Sequence, residues 1–178
     1  MNLANKITIV RIMLVPIFMV LLLSDFPYSN VIAALIFIVA ASTDTVDGYI
    51  ARKRNEVTNF GKFIDPLADK ILVTAALVIL VEMGKISSVV AIIIITREFI
   101  ITGFRVLAAS EGIVIAASWW GKAKTITQIV AIVAVMLDNM PFKWIGFPFD
   151  RIALILAVII TIVSGIDYIY KNFDILSK

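Results

Sequence analysis

Asp44-Thr-Val-Asp47-Gly48-Tyr-Ile-Ala51-Arg52, followed after eight residues by Gly61-Lys-Phe-Ile-Asp65-Pro-Leu-Ala-Asp69, is the stretch that decides the fold. On a helix turning 100° per residue, Asp44, Asp47, Gly48 and Ala51 fall within an arc of about 100°, with Arg52 at its border. Gly61, Asp65 and Asp69 recur every fourth residue and drift by only about 40° per step, so they form one stripe on the next helix. The basic turn between the two is short, which predicts antiparallel neighbours whose acidic stripes converge.

The surroundings of this stretch are largely hydrocarbon. Of 178 residues, 61% are hydrophobic and only 16% charged, and the mean hydropathy is +1.04, beyond the range of a soluble domain of this size. Apolar runs recur at roughly 10–24, 31–43, 63–81, 86–104, 125–140 and 152–170, each near the ~20 residues that cross a bilayer as helix. The expected fold is therefore an all-α integral membrane protein with about six transmembrane helices. A membrane β-barrel would show short segments alternating apolar and polar, which Ala91-Ile-Ile-Ile-Ile95 does not. The first run could imitate a secretory signal, but Ser24-Asp-Phe-Pro-Tyr offers no small-residue cleavage site, so it is expected to be retained.

The longest polar interruption, Arg52 to Lys62, leaves no room for a soluble domain, and residues 1–178 read as a single membrane-embedded domain. Turn chemistry marks one set of connections: Ser24-Asp-Phe-Pro-Tyr-Ser-Asn30, Met83-Gly-Lys-Ile-Ser-Ser88 and the longer run Asp138 to Asp150. Trp119, Trp120 and Trp144 lie beside charged or glycine-containing boundaries, where indole rings favour the headgroup region. Pro66 suggests a helix start at about Lys62 to Asp65, because proline is tolerated in a first turn; Pro16 is expected to kink the first helix.

Net charge is only +3, so its distribution matters more than its total. Lys6, Arg52, Lys53, Arg54, Lys62, Lys122, Lys124, Lys171 and Lys178 fall on one side if helices alternate, against Lys85, Lys143 and Arg151 on the other. Both termini and the aspartates are thereby assigned to the cytoplasmic face.

Carboxylates at membrane depth cost roughly 2.5–3.5 kcal/mol each on insertion scales, so four kept together require neutralisation. The chain has no cysteine and no histidine, which excludes disulfides, thiolate chemistry, imidazole bases and Cys/His zinc sites. Any general base is a carboxylate, lysine or tyrosine. An all-oxygen donor set suits Mg²⁺, Mn²⁺ or Ca²⁺, and four carboxylates can bridge two such ions, an arrangement suited to phosphate chemistry. Gly48, Ala51 and Gly61 keep bulk off the same faces, so that a nucleotide or diphosphate can approach closely, and Arg52 supplies a planar fork. Small residues on helix faces more often serve close packing, and single acids often cap helices; eight positions at these spacings go beyond either explanation.

The pattern from Asp44 to Asp69 matches the signature of the CDP-alcohol phosphotransferases without a departure. Asn5-Lys-Ile-Thr-Ile-Val-Arg11, Val57-Thr-Asn-Phe-Gly-Lys-Phe-Ile-Asp-Pro-Leu-Ala-Asp-Lys70, Arg97-Glu98 and Gly121-Lys-Ala-Lys-Thr125 further resemble the bacterial phosphatidylglycerophosphate synthases of that family. The resemblance implies a six-helix enzyme of the bacterial cytoplasmic membrane, usually homodimeric. Its implied reaction takes CDP-diacylglycerol and sn-glycerol 3-phosphate to phosphatidylglycerophosphate and CMP. It further implies that Asp44, Asp47, Asp65 and Asp69 hold two Mg²⁺ or Mn²⁺ ions, and that Asp69 is the general base. Asp47, Gly48, Ala51, Arg52 and Gly61 would contact CDP-diacylglycerol. Membrane lipids are expected partners and nucleic acid is not.

Glycerol 3-phosphate needs its own cations. Arg105 and Lys124 lead the candidates because neither has a sequence-adjacent acid, followed by Arg97, Lys122, Arg11 and Thr8; snorkelling to lipid phosphate is the plainer explanation for each cation. Arg97 has Glu98 beside it, but successive helical residues do not face each other. Glu82 and Asp167 read as helix-end charges without assigned chemistry. Two other classes compete. An ion transporter would spread its acids through the bilayer depth, and a prenyl-diphosphate enzyme would use a denser aspartate run and leave Gly48-x-x-Ala51-Arg52 unexplained. Within the family, serine, inositol phosphate or a second phospholipid remain possible acceptors.

Overall fold

The computed structural model describes residues 3–53, 59–110 and 119–173; within these, side chains are described outside 3–5, 44–53, 59–66, 69 and 110. Six α-helices follow one another: α1 (Leu3–Leu22), α2 (Ser29–Lys53), α3 (Asn59–Glu82), α4 (Ser88–Ser110), α5 (Trp119–Met136) and α6 (Phe149–Lys171). The apolar runs mark these helices, and the turn signals fall between them. At the end of α3, Gly84 takes a left-handed φ of 69° and the Lys85 N–H bonds back to the Leu80 carbonyl at 2.9 Å, terminating the helix as glycine commonly does. Ser29 opens α2, and its hydroxyl donates to the Ser24 carbonyl at 2.7 Å.

Two expectations are corrected. Helix α3 begins at Asn59 rather than at 62–65, so Pro66 lies inside it. The ring's fixed φ suits a helix and removes one N–H only, a loss that membrane helices tolerate where neighbours re-satisfy the freed carbonyl. The run from Asp138 to Asp150 is no featureless turn but contains a 3₁₀ helix, Phe142–Ile145. Among the described residues one helix, Phe149–Lys171, is long and apolar enough to cross a membrane. Charged side chains break the apolar runs of two others: α4 carries Arg97, Glu98 and Arg105, and α5 carries Lys122 and Lys124.

The contacts resolve two compact units, Met1–Ile86 with Val135–Asp138 and Ser87–Ala134 with Asn139–Lys178. In the first, α1 packs on α2 and α3, and α2 on α3. Arg11 meets Thr43 and Phe18 meets Phe37 with ring centroids 5.7 Å apart, so α1 and α2 run antiparallel. Ala33, Ala34, Ala40, Ala68 and Ala76 are buried, as are Leu22, Leu72, Leu77 and Leu80. Such small residues let helix backbones approach closely. Asp138 ties the ends of this unit together, forming an ion pair with Lys85 Nζ at 2.8 Å and accepting from Asn30 Nδ2 at 3.2 Å.

In the second unit α4 packs on α6, while α5 meets α6 along an alanine seam of Ala131, Ala153 and Ala157. Opposite the seam, Ile152, Ile155, Leu156, Ile159, Ile162 and Ile166 stand exposed at helical spacing, a face suited to lipid. The 3₁₀ segment is pinned by Asn139, whose Nδ2 donates to the Phe147 carbonyl at 2.7 Å and whose Oδ1 accepts from the Asp150 N–H at 3.1 Å. Phe142, in this segment, meets Phe149 at the start of α6 with ring centroids 4.5 Å apart and planes tilted by 31°.

Candidate active site

Asp44, Asp47, Gly48, Ala51 and Arg52 lie on α2, and Gly61, Asp65 and Asp69 on α3, two helices in contact. The expected division of the motif between neighbouring helices therefore holds at the level of the backbone. The side chains of all eight positions lie outside the described residues, and among the described residues no cluster of acids could hold a metal. The donor set itself fits a hard divalent ion, since it contains oxygen ligands alone in a chain without cysteine or histidine.

The structure brings Arg11 to this part of the fold. Its side chain is 1% exposed, and its Nε donates at 3.1 Å to the hydroxyl of Thr43, the residue before Asp44. Thr8, one turn earlier on α1, is equally buried. Both ranked last among the sequence candidates. The signal that could have raised them is an arginine within an apolar run, which is expensive unless it has a task or a partner.

A second concentration of polar groups joins α4, α5 and α6. Lys124 Nζ is paired with Glu98 Oε1, both residues being more than nine-tenths buried. The same oxygen lies 3.4 Å from Arg97 Nη1. Arg97 Nη2 then donates to Ser164 Oγ at 2.9 Å, Ser164 donates to the Thr161 carbonyl at 3.1 Å, and Gln128 Nε2 donates to Thr161 Oγ1 at 2.9 Å. Because Gln128 lies one turn beyond Lys124, these bonds close a ring through three helices. Among the described residues its charges are one carboxylate against two cations.

One sequence argument is extended here and one corrected. Lys124 has no sequence-adjacent acid, but Glu98 supplies one from α4. Arg97 does reach its neighbour Glu98, because the guanidinium sits at the end of a long chain and is not bound by the direction of its Cβ. On α6, Gly165 leaves room for the Arg97 stem: a Cβ there would stand 3.2 Å from Arg97 Cγ. Arg105 is placed differently, exposed and donating from Nε to the Tyr168 hydroxyl at 3.2 Å, with its guanidinium 5.4 Å from the ring centroid. Lys122 is exposed. Asp167 pairs with Lys171 one turn on, at 2.8 Å, which gives it a structural account that the sequence did not.

Residues 1–163 match the family model described as CDP-alcohol phosphatidyltransferase. The chain belongs to that family. Similar proteins cover nearly its whole length. A Bacillus subtilis CDP-diacylglycerol–glycerol-3-phosphate 3-phosphatidyltransferase is 49% identical over 98% of this chain and 97% of its own. The Haemophilus influenzae enzyme of the same name is 40% identical over 94% of this chain and 91% of its own. A probable phosphatidylglycerophosphate synthase of Mycobacterium tuberculosis is 37% identical over 96% of this chain and 81% of its own. Family membership implies dependence on a divalent metal and association with a membrane.

Proposed function

We propose that this chain is a CDP-diacylglycerol–glycerol-3-phosphate 3-phosphatidyltransferase, which transfers the phosphatidyl group of CDP-diacylglycerol to sn-glycerol 3-phosphate and releases CMP. The observation that carries this is the near full-length similarity at 49% identity to an enzyme of that name, in a chain whose α2 and α3 hold the complete acidic motif. Residues 1–178 form one membrane-embedded catalytic domain, six helices cross the bacterial cytoplasmic membrane with the motif at its cytoplasmic side, and the working form is a homodimer.

Asp44, Asp47, Asp65 and Asp69 would hold two Mg²⁺ or Mn²⁺ ions, which when bound neutralise the diphosphate and stabilise the charge on departing CMP. Gly48, Ala51 and Gly61 leave space for the CDP moiety and Arg52 binds it. Asp69 accepts the proton of the acceptor hydroxyl as its oxygen attacks the phosphorus bearing diacylglycerol and the bond to CMP breaks. Arg97, Arg105, Lys122 and Lys124 bind the acceptor phosphate, and Arg11 and Thr8 are further contacts.

The test is CMP release by the purified protein with CDP-diacylglycerol and Mg²⁺ against glycerol 3-phosphate, serine, inositol phosphate and phosphatidylglycerol. Turnover with glycerol 3-phosphate alone is expected; preference for another alcohol would overturn the acceptor assignment. Asp69→Asn keeps the side-chain shape but cannot take the proton, and should abolish turnover while retaining nucleotide binding. Substantial turnover in that variant would remove Asp69 from its role.

A further inference from the structure

We infer that Glu98 is a positioning residue for acceptor binding: its buried carboxylate holds Lys124 of α5 and Arg97 of α4 at one fixed spacing, so that both present to a single phosphomonoester. The inference rests on the assignment of Arg97 and Lys124 to the acceptor phosphate made above.

Four observations carry it. One oxygen, Oε1, faces both cations, paired with Lys124 Nζ and 3.4 Å from Arg97 Nη1. Glu98 is 6% exposed and Lys124 5%, and a buried ion cluster is a poor way to gain stability, because apolar replacements commonly serve as well or better. Among the described residues the cluster carries one more positive than negative charge, which suits an incoming anion. Arg97 is further seated by Ser164 and by the bare face of Gly165, yet its Nε is buried without a hydrogen-bond partner among the described residues, a donor left over after the protein contacts are made. Without the carboxylate, two cations in a low-dielectric interior would repel and turn apart.

The position of Glu98 makes the sign of the test informative. Coulomb's law alone says that removing a negative charge from a cationic site strengthens anion binding, so Glu98→Gln would lower the KM for glycerol 3-phosphate. Positioning predicts the reverse. Measured by CMP release with the full-length protein in detergent micelles containing CDP-diacylglycerol, Glu98→Gln should raise the KM for glycerol 3-phosphate by about tenfold or more, as loss of a supporting partner commonly does, leaving kcat and the KM for CDP-diacylglycerol within about threefold. Glu98→Asp, which keeps the charge, should recover part of the loss. Ser164→Ala, which loosens Arg97 alone, should raise the same KM more weakly.

An unchanged or lowered KM for glycerol 3-phosphate in Glu98→Gln overturns the inference, as does a parallel loss for both substrates with a lowered melting temperature. If Glu98→Gln does not fold, Glu98→Asp and Ser164→Ala decide, and unchanged KM values in both refute it. Lys124→Gln separates this inference from the reading beneath it. Should that variant leave the KM for glycerol 3-phosphate unchanged, the acceptor assignment itself fails; should it raise the KM while Glu98→Gln does not, only the positioning role fails.

Discussion

Arg97 shows what a single side chain can be asked to do inside an apolar bundle. Its two terminal nitrogens are directed to Glu98 and Ser164, and its stem lies against Gly165. Lysine has one cationic nitrogen and no planar fork, so it cannot serve both partners. Arg97→Lys should therefore raise the KM for glycerol 3-phosphate at least about tenfold, with the KM for CDP-diacylglycerol unaltered, in a two-substrate kinetic titration. In Gly165→Ala the new methyl would press on a flexible side chain, so the fold should survive while acceptor affinity falls several-fold. The division of the motif between two neighbouring helices was legible in the sequence, because its small and acidic residues recur at helical spacing on either side of a short basic break. The Lys124–Glu98 pair was not, since no local rule brings residues of α4 and α5 together.

Among the elements, the alanine seam and the 3₁₀ segment differ in how far they could be foreseen. Helix number followed from apolar runs, because a bilayer fixes their length at about 20 residues. Helix ends followed less well: α2 continues to Lys53 and α3 starts at Asn59, polar ends that hydropathy does not register. At the seam, Ala157 is fully buried against Ala131 and Ala153. Ala157→Leu would force α5 and α6 apart and should cost about 1–3 kcal/mol, read as a lowered midpoint of thermal unfolding in detergent. The 3₁₀ segment depends on Asn139 bonding to Phe147 and Asp150, contacts that span a turn and leave no periodic trace. It holds Trp144 and Ile145 78% and 76% exposed just before the apolar helix α6, where an indole ring belongs in the headgroup region. In a Trp119→Phe, Trp120→Phe background, Trp144 fluorescence should be quenched by lipids brominated near the headgroup more than by lipids brominated at the chain ends; equal protection from both would place it in water.

At the scale of the whole molecule, the membrane association of the family accords with the exposed apolar face of α6, while α4 and α5 carry charged side chains. The oxygen-only donor set makes one global prediction: EDTA should abolish CMP release, and Mg²⁺ or Mn²⁺ should restore it, with Asp44→Ala and Asp47→Ala needing far more metal. Unaltered metal dependence in those variants would remove both from the ligand set. The ring from Lys124 through Glu98, Arg97, Ser164 and Thr161 to Gln128 has a bearing on biogenesis as well. Greasy surfaces slide past one another in a bilayer, whereas a rotation of any one of these three helices by a single residue breaks the circuit, so the ring sets their rotational phase. It closes only once Thr161 and Ser164 have been synthesised. A nascent chain truncated before them should hold α4 loosely in the membrane, and one long enough to include them should lock it.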